Sequence, residues 1–272
     1  MASSSSSSVT SPLHVLVCGV PGVGKTTFSR ELAQRLGLRH VEISRVVEEH
    51  SLFCSDEGSR GRDEARNCSI FDEEKVADWL DENCGPNFSS SASSSSALQQ
   101  ASSERTQNNH KASIFGGCVF DFHSAALFDL CREVQISLVV VLHADTSELG
   151  RRLERRGYSE SKIRENIECE IFQVVTEEAH ETFGTKGGRQ MMDTSDSEGE
   201  DDEDDSDEDE DMDQANAAGS PRSGKKKRQE VEILDLHNDS LEQMETHLKT
   251  VLEKCNLLHA KQKESTSAIG GA

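Results

Sequence analysis

Lys25 and Thr26 close the string GVPGVGKT, residues 19–26, which fits the spacing G-x-x-x-x-G-K-[ST]. The apolar run HVLVCGV leads into it and KTTFSRELAQRLG follows, so the pattern predicts a strand, a glycine-rich turn and a helix. Glycines in that turn let the backbone curl until successive N–H groups point inward. The helix N-terminus adds the positive end of its dipole, and Lys25 adds a full charge. The chemistry this suits is the gripping of a polyphosphate tail, with Lys25 on the β and γ phosphates and Thr26 a ligand of Mg2+. A glycine-rich turn that binds nothing is the bland alternative, and the strand before and helix after weigh against it.

A second group lies in VFDFHS, which holds Asp121 and His123. Alternate side chains of an extended chain share a face, so these two point one way and Phe120 and Phe122 the other. An acidic residue ending a strand beside a phosphate loop would hold the hydration shell of Mg2+. His123 either joins it or satisfies its own backbone neighbours. The third group is RRLERRGYSESK. Arg152 and Arg156 are four apart and project from one helical face, as a two-armed clamp on transferring phosphoryl charge requires. Gly157 then lets the chain turn, as a mobile lid needs. A solvated arginine-rich helix is the alternative there, and Arg151 and Arg155 belong to it.

These residues need elements to position them. RHVEI reads as a second short strand, followed by a helical SRVVEEHSLF; DEEKVADWLDEN reads as a helix capped by an acidic residue. Residues 118–122 are strand-like, and the β-branched run ISLVVVLHA is typical of a strand covered on both faces. TSELGRRLERRG and SESKIRENIECEIFQVVTEEAHETF read as helices, then VEILDL as a last strand and SLEQMETHLKTVLEKCNLL as a last helix. Strands alternating with helices predict an α/β fold with a parallel, doubly wound sheet.

The 272 residues suffice for one such domain with additions. Only 33% of them are hydrophobic and 4% aromatic, so part of the chain packs into nothing. The expected order is a Ser-rich disordered start (1–12), a first domain part (13–84), a Ser-rich disordered insertion (85–113), a second part (114–185), an acidic then basic disordered insertion (186–229), the last strand and helix (230–258) and a disordered tail (259–272). Eight cysteines include no CxxC, which excludes zinc-ligand spacing and points to reduced thiols. No apolar run reaches membrane-spanning length and the N-terminus lacks a signal-peptide pattern, so an intracellular protein is expected.

Taken together, GVPGVGKTT, FDEEKVADWLDE, GGCVFDFHS and RRLERRGYSESKIRENIECEIFQVVTEEA resemble the adenylate kinase isoenzyme 6 family. The likeness covers most of the chain outside residues 1–12, 85–113 and about 186–229. It implies a P-loop nucleoside-monophosphate-kinase-like parallel sheet flanked by helices, and adenylate kinase and ATPase activity on ATP and AMP with Mg2+. It also implies a role in maturation of the small ribosomal subunit. On this resemblance Gly22, Val23, Gly24, Lys25, Thr26 and Thr27 bind the ATP phosphates and Arg156 is a lid arginine; Arg152, placed by helical spacing, is expected to bind the cofactor with it. Asp121 and His123 form the strand-end pair associated with activity, Thr26 and Asp121 holding Mg2+, Asp121 through water. Residues from about 42 to 71 would form the monophosphate arm and 155–165 the lid. Ser44, Arg45 and Glu48 depart from the family pattern, all on the acceptor side. A shikimate-type or dephospho-coenzyme A kinase on the same scaffold fits the string after Arg156 less well.

The net charge of −22 is local in origin: fifteen of the 51 acidic residues fall in residues 193–213, and 29 basic against 36 acidic residues elsewhere leave −7. A run of that kind stays extended and attracts basic surfaces. It suits a basic small-subunit ribosomal protein or pre-ribosome as partner, in an ATP-driven assembly factor whose kinase activity is incidental, or else only keeps the chain soluble. No basic face for direct nucleic-acid contact is evident. GKKKRQ, residues 224–229, resembles a nuclear-import signal or is a basic linker, so nucleus and cytoplasm are the expected locations. The expected oligomeric state is a monomer.

Overall fold

The computed structural model describes residues 11–54, 62–63, 68–86, 116–184 and 231–269. Residues 1–10, residues 87–113 of the first expected insertion and all of the second, 186–229, lie outside the described residues. Five parallel strands form the main sheet: β1 (Val15–Cys18), β2 (Arg39–Glu42), β5 (Cys118–Asp121), β6 (Leu138–His143) and β7 (Glu232–His237), in the order β2-β5-β1-β6-β7. A two-residue pair, β3 (Arg62–Asp63) with β4 (Cys68–Ser69), is antiparallel and separate from it. Seven helices connect the strands among the described residues: α1 (Lys25–Leu36), α2 (Ile43–Glu49), α3 (Glu73–Cys84), α4 (Thr146–Arg155), α5 (Glu160–Ile171), α6 (Val174–Phe183) and α7 (Leu241–Ile269).

The central strands are apolar on both faces, and the period of two sorts them. Val15 and Val17 of β1 join Val140 and Leu142 of β6 in a layer covered by α1, α4 and α7. Leu16 and Cys18 join Val139, Val141 and Phe120 in a layer covered by α2, α3 and α6. This is why β6 reads as an unbroken β-branched run. In α1, Phe28 and Leu32 are fully buried, each contributing about 2 kcal/mol of apolar burial. The helix ends where Gly37 takes the left-handed conformation at φ 67°. Asp72 caps α3 by accepting from the Lys75 N–H at 3.2 Å, as its acidic start predicts.

Two boundaries differ from expectation. The helical text after Tyr158 breaks at Gln173, at φ 52°, into α5 and α6. The last helix does not stop at 258 with a disordered tail; α7 runs on to Ile269. His259 lies 5% exposed one turn beyond the buried Cys255, and the text that follows carries no Gly or Pro before 270 to end it.

Candidate active site

The strand order fixes where the site lies. β1 stands between β5 and β6, and Val17 is level with both Asp121 and Val140. The loop leaving β1 is therefore flanked by the ends of two neighbours, where ligands bind in open parallel sheets. Gly19 begins the loop at φ 143°, where a Cβ would stand 2.4 Å from the Leu142 carbonyl oxygen. Gly24 ends it at φ 100° and serves as N-cap of α1 without any side-chain cap. Neither conformation nor space admits another residue. With no acidic residue in its first turn, α1 presents its N-terminal amides and dipole to an anion.

A cleft of about 320 Å3 opens over this loop. Gly22, Gly24, Lys25, Thr26, Thr27, Asp121, His123 and Arg156 all line it, together with Pro21, Glu42, Ser44, Phe122 and Tyr158. Lys25 Nζ donates to the Val20 carbonyl at 3.0 Å. Its ammonium is pushed down to about 8, chiefly by burial, with Asp121 opposing the shift. Asp121 is 4% exposed, and its Oδ2 accepts no hydrogen bond. His40 Nε2 stands 3.9 Å from that oxygen, too far to donate well. An orphaned carboxylate oxygen in a cleft that Thr26 also lines is a donor set that fits hydrated Mg2+. His123 lies at the rim, its ring 4.2 Å from that of Phe122. Packing and the Lys25 charge hold its imidazole below the ordinary value.

One expected site residue, Arg152, lies outside the cleft lining, and a second, Val23, faces the core with its side chain. The Val23 side chain is fully buried in the core and its carbonyl accepts from Asn238 Nδ2 at 2.8 Å, which leaves its backbone N–H as the group it has to offer a phosphate, between Gly22 and Gly24. Arg152 is not the second arm of a clamp. Its guanidinium pairs with Glu148 at 2.8 Å and donates to the carbonyls of Gly22, Asn238 and Asp239 at 2.8 to 3.3 Å. Glu148 stands one turn before it on α4, the β7–α7 turn supplies the Asn238 and Asp239 carbonyls and the loop itself supplies that of Gly22, so Arg152 braces the loop from behind. Arg156 is one residue past the end of α4, at its C-cap, where Gly157 turns at φ 73°, and this carries its side chain into the cleft. Glu42 and Tyr158 line the cleft although the motifs gave neither a role; Ser44, read as a departure on the acceptor side, lines it too, as does Phe122, which strict alternation had turned away from Asp121 and His123. Glu42 could have been found from register, since it lies level with Asp121 on the neighbouring strand.

Similarity to known proteins accords with this geometry. A family model described as an AAA domain matches residues 15–173, from the start of β1 to the break after α5. An adenylate kinase isoenzyme 6 homolog of Caenorhabditis elegans is 35% identical over 170 residues, covering 62% of this chain and 74% of that protein. The homolog of Schizosaccharomyces pombe is 36% identical over 173 residues, covering 64% and 77%. That of Saccharomyces cerevisiae is 31% identical over 171 residues, covering 62% and 68%. A phosphate loop set between these strand ends, with such identity over two thirds or more of each relative, places the chain in the adenylate kinase isoenzyme 6 family.

Proposed function

We propose that this nucleotide kinase transfers the γ-phosphoryl group of Mg-ATP to AMP. The observation that carries the reading is the convergence of Lys25, Arg156 and Asp121 on one cleft at the N-terminus of α1. The α1 amides and Lys25 hold the triphosphate. Arg156, brought in from the lid turn, places a second cation beside the transferring group. Thr26 and Asp121 would hold Mg2+, which supplies charge neutralisation on the phosphates when bound. On the far side of the cleft, Glu42 and Ser44 face the acceptor. His123, its imidazole held below the ordinary value, orients the attacking oxygen. Removing one such electrostatic contact costs about 3 kcal/mol, or a hundredfold or more in rate. The same cleft with water in the acceptor position would hydrolyse ATP, which accounts for the ATPase activity implied by the family resemblance.

The test is phosphoryl transfer from ATP with each nucleoside monophosphate in turn and with water alone. AMP should be the fastest acceptor, and Lys25→Ala should abolish every transfer. Unchanged rates in that variant would remove Lys25 from the mechanism. The acidic residues 193–213 support a second, compatible part of the proposal: a basic small-subunit ribosomal protein as partner, met in nucleus or cytoplasm. Binding through that tract should weaken sharply between low and physiological salt and disappear on deleting residues 193–213.

A further inference from the structure

His123 follows the last residue tied into the sheet: Phe122 donates its N–H to the Val17 carbonyl at 3.2 Å, and the chain then leaves the ladder. What holds the next residues is a single carboxylate from another element. Glu178, on α6, accepts at one oxygen from the Ser124 hydroxyl at 2.7 Å, the Ala125 N–H at 2.5 Å and the Ala126 N–H at 2.8 Å. His123 is thus suspended between two anchors, the sheet on one side and Glu178 on the other. Three donors on one carboxylate oxygen form a charge-assisted set, and they include the first amides of the 3-10 turn Ala126–Asp129, which has no side-chain cap of its own. Glu178 does not line the cleft, so it touches neither substrate nor reacting atoms.

We propose that Glu178 is a positioning residue: from α6 it fixes the backbone of residues 124–126 and thereby sets where the His123 imidazole stands at the mouth of the cleft. The helix that carries it follows α5, which begins just after the lid turn holding Arg156 and Tyr158. Glu178 therefore joins the lid-bearing segment to the strand-end pair across the fold. This inference deepens the proposed phosphoryl transfer and rests on it for its activity arm.

Two conservative variants separate reach from charge. Glu178→Gln keeps an acceptor oxygen at the same reach, while Glu178→Asp keeps the charge and withdraws it by one methylene. With ATP and AMP, the Gln variant should keep kcat within about threefold, and the Asp variant should lose about tenfold to a hundredfold, the scale of a small misplacement. ATP affinity should stay within about twofold in both, because the phosphate loop is untouched. In a His123→Ala background the Asp change should cost nothing further, since two residues acting as one unit are not additive. The proposal is overturned if Glu178→Asp is harmless, if Glu178→Gln is the slower of the two, or if the Asp and His123→Ala losses multiply. A second readout needs no activity: amide exchange of Ala125 and Ala126 in the full-length protein by NMR. Both amides should be protected in the wild type and exposed in Glu178→Asp. Unprotected wild-type amides would sink the inference, whereas protected amides with no transfer to any acceptor would sink only the kinase reading.

Discussion

Binding of Mg-ATP should be coupled to proton uptake at Lys25. In the free protein its ammonium is pushed down to about 8, so at pH 9 about one Lys25 in eleven is charged. A bound triphosphate favours the charged form and returns the value toward the ordinary lysine range. Affinity should then be level below pH 8 and fall by up to tenfold per unit above it, about tenfold between pH 7 and 9. The terminal phosphate, whose last ionisation lies near pH 6 in phosphoesters, does not titrate in that window. Restoring a lysine from about 8 to its ordinary value amounts to roughly 3 kcal/mol, which is the driving force assigned here to the contact. Stability of the nucleotide-free protein should move the other way. The unfolded chain holds the Lys25 proton more tightly than the folded one, so the fold gains stability as pH rises from 8 toward 10.5. Calorimetry in two buffers of different ionisation enthalpy measures both affinity and protons taken up. Close to one proton per ATP at pH 9 is expected, and none in Lys25→Met. A wild-type affinity that stays flat from pH 7 to 9 with no proton uptake would refute the reasoning.

Arg152→Ala should lower stability by about 1–3 kcal/mol, through lost charge-assisted bonds to the loop carbonyls, and weaken ATP binding with it. A fall in turnover with unchanged melting temperature would instead restore Arg152 to the clamp. Asp121→Asn should leave the nucleotide-free fold as stable or more so, because its Oδ2 has no hydrogen-bond partner to lose, while Mg2+-dependent transfer drops about a hundredfold; a destabilised variant with normal turnover would count against the metal role. His143 is held above the ordinary value by its hydrogen bond to Glu170 at 3.1 Å, with Asp235 adding to it. That contribution is complete below the ordinary histidine range and is lost as pH rises through the raised value, so thermal melts should show the α5–β6 contact weakening toward alkaline pH in wild type and not in His143→Gln.

The legible parts of this molecule are those whose cause is local. GVPGVGKT declared its strand, turn and helix because the geometry needs glycine at fixed offsets, and Asp72 declared the start of α3 because a cap acts within three residues. β6 announced itself as a strand covered on both faces by composition alone. Arg152 misled because helical spacing reports which face a side chain occupies, not which partner waits there. Its partners are carbonyls of Gly22, Asn238 and Asp239, up to 130 residues away, and backbone oxygens have no sequence signature. Asn238 escaped for the same reason: it clasps the Val23 carbonyl from 215 residues away. Glu178 went unnamed in the sequence because its three donors belong to a turn more than fifty residues before it.

The arrangement of charge argues that the cleft is built for a ligand. Were Lys25 and Asp121 a structural pair, the cheapest arrangement would be a direct ion pair, since leaving two opposite charges apart in a partly desolvated site forfeits their attraction. They form no such bond. Lys25 turns to the Val20 carbonyl, and a buried oxygen of Asp121 accepts nothing. Each group therefore carries a desolvation cost; the Asp121 charge acts on Lys25 only through space and offsets its desolvation in part. A magnesium-bound triphosphate removes both costs together, its oxygens meeting the ammonium and its hydrated cation meeting the carboxylate. The bracing by Arg152 and Asn238 follows from this: a loop whose charges are unsatisfied without ligand has to be held open by bonds that do not depend on them, and those bonds run to its backbone carbonyls from behind.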